Sequence, residues 1–377
     1  MRLFIYAFNL YTKHMTHIAI DARIINSSTG RYVERLITYL QEVDTVNEYS
    51  ILVRAKDENF WKPRNANFTV RIADFDNYSF AEQIGFKKYL KKLNPDLVHF
   101  CMPQQPVGYK GKKVTTFHDL TLLNTYNSDK NWIVFHAKQK VGKYVFKKVI
   151  EMNDEIIAIS KFTEKELIAF SPLATEKTTV IYESSDVSQI APKKYDIPFK
   201  KYILYVGQQS DYKNIKRLGD AHQILLAKYP DLGLVLVGKK NASALTNETY
   251  FMQRKYKNIH FTDFVEDNQL SWLYSHASAY IFPSLMEGFG LPGLEAMGYG
   301  TPVVSSNATC LPEVYGPAAH YFNPLDTSDM AEAIDQVLSD DNIRTRLSKA
   351  GFKQIKKYSW KKMAKETHAI YMKVLDS

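Results

Sequence analysis

The stretch Phe282-Pro283-Ser284-Leu285-Met286-Glu287-Gly288-Phe289-Gly290-Leu291-Pro292-Gly293-Leu294-Glu295-Ala296-Met297 decides how the rest of the chain is read. An apolar run, Ala279 to Phe282, has the pattern of a strand and feeds a glycine-rich turn. Pro292 suits the first turn of a helix, where its missing N–H costs nothing, so the spacing predicts a helix starting near Leu291. Free backbone N–H groups at such a start make a seat for phosphate, and the glycines let the backbone approach a ligand without a Cβ in the way. Gly288, Gly290 and Gly293 fit the dinucleotide spacing G-x-G-x-x-G. Two features oppose that reading: the pattern falls late in its domain, and the next strand ends Val304-Ser305-Ser306, with no acid for a ribose. Glu287 at the start of the loop and Glu295 about one turn into the helix place two carboxylates toward one ligand, as hydrogen bonding to sugar hydroxyls requires.

Working outward, short β-branched runs alternate with helical patterns, which predicts an α/β architecture with parallel sheets covered on both faces. Strands are expected at His17 to Ala22, Ser50 to Arg54, Thr69 to Ala73, Asp96 to Phe100, Val114 to Phe117, Glu155 to Ile159 and Thr179 to Tyr182. Between the first two, Val33, Leu36, Ile37 and Leu40 share one helical face. A polar linker from Ser188 to Pro198 follows, holding Pro192 and Pro198. The pattern then restarts with Tyr202 to Val206, Leu234 to Val237, Ile259 to Phe261, Ala279 to Phe282 and Pro302 to Ser305. The expected organisation is a Rossmann-like domain over 1–190, with 1–14 as an extension, and a second over 191–358. A last helix over 359–377 packs back on the first domain. Two doubly wound sheets facing each other leave a deep cleft at their strand ends.

His118 and Asp119 follow the strand Val114 to Phe117, hence stand on that cleft's rim. Lys213 follows Tyr202 to Val206 and begins a helix, a combination suited to a diphosphate leaving group. Taken together, Glu-x7-Glu within this loop, Gly300-Thr301-Pro302-Val303-Val304, Leu311-Pro312-Glu313-Val314, Phe117-His118-Asp119-Leu120, Ile159-Ser160-Lys161-Phe162-Thr163 and Tyr205-Val206-Gly207 resemble the retaining glycosyltransferases of family 4, which adopt the GT-B fold. Ile20-Asp21-Ala22-Arg23 and Gly30-Arg31-Tyr32 resemble the mannosyl and rhamnosyl branch. The resemblance implies that Glu295 holds the nucleotide ribose, that Glu287 and His118 contact the donor sugar, and that amides around Gly288, Phe289, Gly290 and Leu291 meet sugar and diphosphate. Gly30, Gly207 and Gln208 complete the expected donor site, and Glu287 orients the sugar and is not a covalent nucleophile. One position departs from the family: its members usually carry an arginine soon after the glycine matching Gly207, where this chain has Gln208-Gln209. Gln keeps hydrogen bonding and loses the charge, and Lys216, Arg217 or Lys239 are the candidates to replace it. The hinge Tyr182-Glu183-Ser184-Ser185-Asp186 and the first loop, Ser27-Ser28-Thr29-Gly30, also depart from the usual pattern. The implied activity is transfer of a hexose, first of all from GDP-mannose, to a glycan or lipid-linked acceptor with retention. The alternative is a weakened relative serving as a nucleotide-binding scaffold.

The chain has 377 residues, 45% hydrophobic and 24% charged, with a net charge of +9. No apolar run approaches the roughly 20 residues of a membrane-crossing helix. Cys101 and Cys310 are too few for a zinc site or a disulfide framework, which fits a reducing, cytoplasmic setting. Nine lysines against two acids lie between Lys110 and Lys148, and nine basic residues with no acid between Asn342 and Lys365. With Trp132, Phe135, Tyr144 and Phe146 in the first stretch and Phe352, Tyr358 and Trp360 in the second, these fit contact with an anionic membrane face, a phosphorylated ligand or solvent. No nucleic-acid-binding motif accompanies the charge. Asp74-Phe75-Asp76 has the form of a metal-holding D-x-D, a match short enough to arise by chance, and no metal or other cofactor is expected.

Overall fold

The computed structural model describes residues 15–124, 132–187 and 190–377. The expected 1–14 extension, the linker residues Ser188 and Gln189, and Asp129 and Lys130 lie outside them. Strands β1 (His17–Asp21), β2 (Glu48–Val53), β3 (Phe68–Ile72), β4 (Leu97–Phe100), β5 (Lys113–Phe117), β6 (Glu155–Ala158) and β7 (Thr178–Val180) form one parallel sheet in the order β3-β2-β1-β4-β5-β6-β7. A second parallel sheet holds β8 (Lys201–Val206), β9 (Leu232–Val237), β10 (Ile259–Asp263), β11 (Ala279–Phe282), β12 (Val303–Ser306) and β13 (Ala319–Phe322), in the order β10-β9-β8-β11-β12-β13. This is the expected doubly wound α/β architecture, twice over. The four-residue strand β13 is not foreseen by the sequence, because Ala319-His320-Tyr321-Phe322 shows neither a β-branched run nor alternation.

In each sheet the order reverses beside the domain's first strand, between β1 and β4 and between β8 and β11. Loops leaving neighbouring strands diverge there and open a crevice, the general ligand position in open parallel sheets. The two crevices face each other.

The last helix, Trp360–Asp376, starts at Ser359, whose side chain accepts the Lys362 amide. It returns to the first domain and lies along the helix Gly30–Val43. Trp360, Met363 and Tyr371 are buried in the core that holds Ile18, Ile20 and Leu36. His99, fully buried on β4, bonds the Tyr371 hydroxyl at 2.6 Å and Thr116 Oγ1 at 2.9 Å. Asp44 accepts from the Tyr49 hydroxyl at 2.7 Å and meets His368 of the last helix at 2.9 Å. Two of the expected aromatic anchors are therefore core residues: Trp360 packs as described, and Phe146 packs on Phe117, whereas Tyr144 and Phe352 are exposed. Among the described residues no helix is long and apolar enough to cross a membrane.

The two domains meet through backbone as well as side chains. A Cβ on Gly288 would lie 1.9 Å from the His118 carbonyl oxygen, so these loops touch with no room for one carbon. Glu313, from the helix Leu311–Tyr315, accepts the amides of Lys161 and Phe162 at 2.8 and 3.0 Å. It thereby satisfies the otherwise unpaired N–H groups at the start of the helix Lys161–Phe170, while Ser160 accepts the Thr163 amide.

Burial holds His99 down to about 3, with His118 adding to the effect, and holds His222 down to about 4. The unfolded chain protonates both near the ordinary histidine value of about 6.5, so stability is full above that pH and is lost as pH falls from there toward about 3. The urea midpoint is expected to drop steadily over this interval, and a midpoint that stays level would contradict it. Gly288→Ala forces its loop off the His118 carbonyl; we expect a cost of about 1–3 kcal/mol in urea unfolding and faster tryptic cleavage at Lys193 and Lys194 between the domains.

Candidate functional site

A cavity of about 270 Å³ lies where the loops after β1, β5, β8 and β11 converge. Ser28, Thr29 and Arg31 line it from the start of the helix Gly30–Val43, His118 and Asp119 from the end of β5, and Gln208, Tyr212 and Lys213 from the segment after β8. Glu287 to Pro292 form a further wall, with Tyr32, Ile159 and Glu183 completing the lining. The helix Leu291–Gly298 begins where the sequence predicts, with Pro292 in its first turn and Gly290 at φ 95° before it. Neither this helix nor Gly30–Val43 has an acid in its first turn, and both first turns line the cavity, so unneutralised amide dipoles reach it from two sides.

Gly288 and Gly290 line the cavity, and the glycines of this turn also make room for neighbouring protein groups. Gly288 faces His118, and a Cβ on Gly290 or Gly293 would strike the Tyr315 hydroxyl, which donates to the Gly290 carbonyl at 2.6 Å. A Cβ on Gly30 would meet the Ile25 carbonyl, and Gly207 takes φ 147°. Gly30 and Gly207 shape their turns without lining the cavity; what these positions exclude is a clash with protein.

Lys213, expected to begin a helix, ends a single 3-10 turn, Asp211–Lys213, two residues before the helix Ile215–Leu225. Its Nζ is 2.6 Å from Glu287 Oε1. Burial opposes the ammonium's charge, but Glu287, aided by Tyr212 and Asp119, outweighs it and holds Lys213 above the ordinary lysine range. It is a permanent cation at neutral pH.

His118 stands on the rim with both ring nitrogens engaged. Nε2 is 3.0 Å from the Cys101 carbonyl, which can only accept, and Nδ1 is 3.1 Å from Glu183 Oε1. Glu183 is buried, and sequence reasoning noted it as a hinge departure without assigning it this contact. Tyr32 packs edge-on against the imidazole at 4.8 Å. The ring therefore presents an edge of fixed orientation to the cavity.

Glu295 does not share Glu287's cavity. It is buried, accepts from the Tyr274 hydroxyl at 3.0 Å, and pairs with Arg31. With Tyr274, stacked on Tyr299 at 5.4 Å, and with Asp186, Asp267 and Leu270, it lines an adjoining cavity of about 370 Å³. The expected single ligand site is thus two compartments, and Arg31 lines both.

The candidates to replace the missing arginine charge lie elsewhere. Lys216 and Arg217 line a separate cavity with Ser210 and Tyr250, and Lys239 is exposed. Gln208 lines the main cavity, while Gln209 is buried behind it. The cation that reaches the cleft besides Lys213 is Arg31, legible in the sequence only as part of a Gly-Arg-Tyr motif. Asp74 and Asp76 both pair with Arg54, away from the cleft, and among the described residues no three His, Cys, Asp or Glu side chains gather as a metal ligand set.

Residues 29–189 match the family model for Glycosyltransferase Family 4, and residues 188–354 match Glycosyl transferases group 1. The chain is 32% identical over 277 residues to O-antigen chain mannosyltransferase B of Escherichia coli, covering 69% of this chain and 70% of that protein. It is 29% identical over 381 residues to the serotype-specific mannosyltransferase WbdA of Escherichia coli, covering 91% of this chain but only 44% of that relative's length. Among solved structures, sucrose-phosphate synthase from Thermosynechococcus elongatus superposes with a TM-score of 0.77 at 19% identity, covering 96% of this chain and 99% of the other. Anabaena HepE, solved with UDP and glucose, superposes with a TM-score of 0.67 at 16% identity over 96% of this chain and 100% of the other. Two facing doubly wound domains, a glycine turn between Glu287 and Glu295, and these matches lead to one conclusion: the chain belongs to the family 4 glycosyltransferases of GT-B fold.

Proposed function

We propose that the protein transfers mannose from GDP-mannose to a hydroxyl of a growing glycan or lipid-linked glycan, with retention at the anomeric carbon. The observation that carries this reading is the pair of adjoining cavities, one holding Glu287 and Lys213, the other Glu295 with Tyr274 and Tyr299. A nucleotide sugar is a hexose and a nucleoside joined by a pyrophosphate, and its two ends match two compartments. Glu287 receives sugar hydroxyls in the first, and Glu295 receives ribose hydroxyls in the second. Mannose as the sugar rests on the names of the relatives.

In the reaction the bond from the anomeric carbon to the pyrophosphate oxygen breaks, and its electron pair stays on the leaving nucleoside diphosphate. Lys213 and the amide dipoles of the two helix starts stabilise that charge, so the barrier to departure falls. The acceptor oxygen bonds to the same face of the sugar, and its proton passes to a phosphate oxygen of the leaving group. These positive groups give the counter-charge that a metal ion gives in other transferases, and the proposal includes no metal. His118, oriented by Glu183 and the Cys101 carbonyl, directs its ring edge to the sugar. Closure over the donor excludes water and favours transfer over hydrolysis.

The exposed Lys140, Lys143 and Lys147, with Val141 and Tyr144 between them, suit peripheral contact with an anionic membrane at its cytoplasmic face, where a lipid-linked acceptor would lie. The presence of Lys213, Glu287 and Glu295 in one cleft favours an enzyme over a scaffold.

A panel of nucleotide sugars, read by mass of the product, tests the activity, with GDP-mannose expected to be consumed. Lys213→Ala is expected to lower turnover about a hundredfold or more, since it removes charge stabilisation at the leaving group. Glu295→Ala is expected to weaken nucleotide binding about tenfold or more. Wild-type turnover in the double variant, or no nucleotide sugar consumed from the panel, would overturn the reading.

A further inference from the structure

Arg31 is the one residue, among those described, that lines both cavities. Its position is not explained by the helix that carries it. Arg31 lies in the first turn of Gly30–Val43, where the helix dipole disfavours a cation and where no acid compensates. Its side chain crosses the cleft to pair with Glu295 of the other domain and remains 44% exposed, so a ligand can reach it. The other cation of the main cavity, Lys213, is held by Glu287 and is 15% exposed, and Gln208 beside it carries no charge.

On the reading that a nucleotide sugar spans the two cavities, covalent connectivity places its pyrophosphate at their boundary, which is where Arg31 stands. We infer that Arg31, delivered by the first domain, is the second cation of the pyrophosphate site and that it exchanges partners on binding. In the structure the guanidinium holds Glu295; with donor bound it turns to the pyrophosphate, and the Glu295 carboxylate is released to the ribose hydroxyls. A planar guanidinium suits both partners, since carboxylate and phosphate each accept two parallel hydrogen bonds from it. Arg31 and Glu295 belong to different domains, so the exchange replaces a direct tie across the cleft by one that runs through the ligand. Donor occupancy and domain closure are thereby coupled.

Isothermal titration of the full-length chain tests this. GDP, UDP, ADP, CDP and TDP are titrated first, and the tightest diphosphate is then compared with its own nucleoside. Arg31→Gln is expected to weaken the diphosphate by about ten- to a hundredfold, the range for a lost charge-assisted hydrogen bond, while leaving the nucleoside's affinity unchanged or raised. Arg31→Lys, which keeps the charge and loses the fork, is expected to fall between wild type and Arg31→Gln. It serves as the second variant if Arg31→Gln folds poorly. Glu295→Gln is expected to weaken nucleoside and diphosphate alike. An unchanged diphosphate affinity in Arg31→Gln, or an equal loss for nucleoside and diphosphate, would overturn the role of Arg31 and leave the transferase reading intact. A wild-type chain that binds none of the diphosphates would instead defeat the transferase reading itself.

Discussion

The approach of Gly288 to the His118 carbonyl governs the geometry of the cleft. A turn from one sheet rests its backbone on a loop from the other, at a separation that excludes even a methyl group. Glu287 is the residue before that contact, and Glu295 lies in the helix just after it, so the placement of both carboxylates follows from it. Glu313 repeats the device a short distance away by supplying the missing acceptor for the first amides of the helix Lys161–Phe170. Both contacts engage backbone groups of the first domain, the His118 carbonyl in one and the Lys161 and Phe162 amides in the other, and so they set the two domains in register.

Charge in the cleft is arranged in pairs. Lys213 faces Glu287, and Arg31 faces Glu295. Half-buried cations without counter-charges would bear a desolvation cost that folding could not offset, so a site built to receive an anion must carry acids of its own. Those acids are not idle once an anion arrives, because carboxylates also accept hydroxyl hydrogens from sugars. A ligand bearing both a pyrophosphate and hydroxyl groups satisfies both halves of each pair, whereas a bare anion satisfies one.

The first domain is not closed by its own sequence. Its core includes Trp360, Met363 and Tyr371, which arrive only after the second domain has been built, and the bonded series Tyr371, His99, Thr116 and Tyr32 carries the last helix's influence through the sheet to the ring of His118. The bonds of Tyr371 to His99 and of His368 to Asp44 help fix how the last helix sits on the sheet.

Periodicity and turn chemistry were enough to specify two parallel α/β sheets, the helix start at Leu291 and the face of Gly30–Val43, because each depends on near neighbours in sequence. The pairing of Lys213 with Glu287 was also within reach of motif reading, since both residues follow strands whose ends must converge. The Ile-Asp-Ala-Arg motif was legible as a pattern but not as chemistry: Arg23 proves to be buried, bonded to Asp21 and Glu82, and serves the fold. Only the tertiary structure could divide the cleft into two compartments, set Arg31 between them, join Glu183 to His118, and bring the His118 carbonyl and the Tyr315 hydroxyl against the glycine turn. Each of these contacts joins residues whose separation along the chain is far longer than a helix turn or a strand pair, and local pattern carries no information about which distant surface a residue will meet.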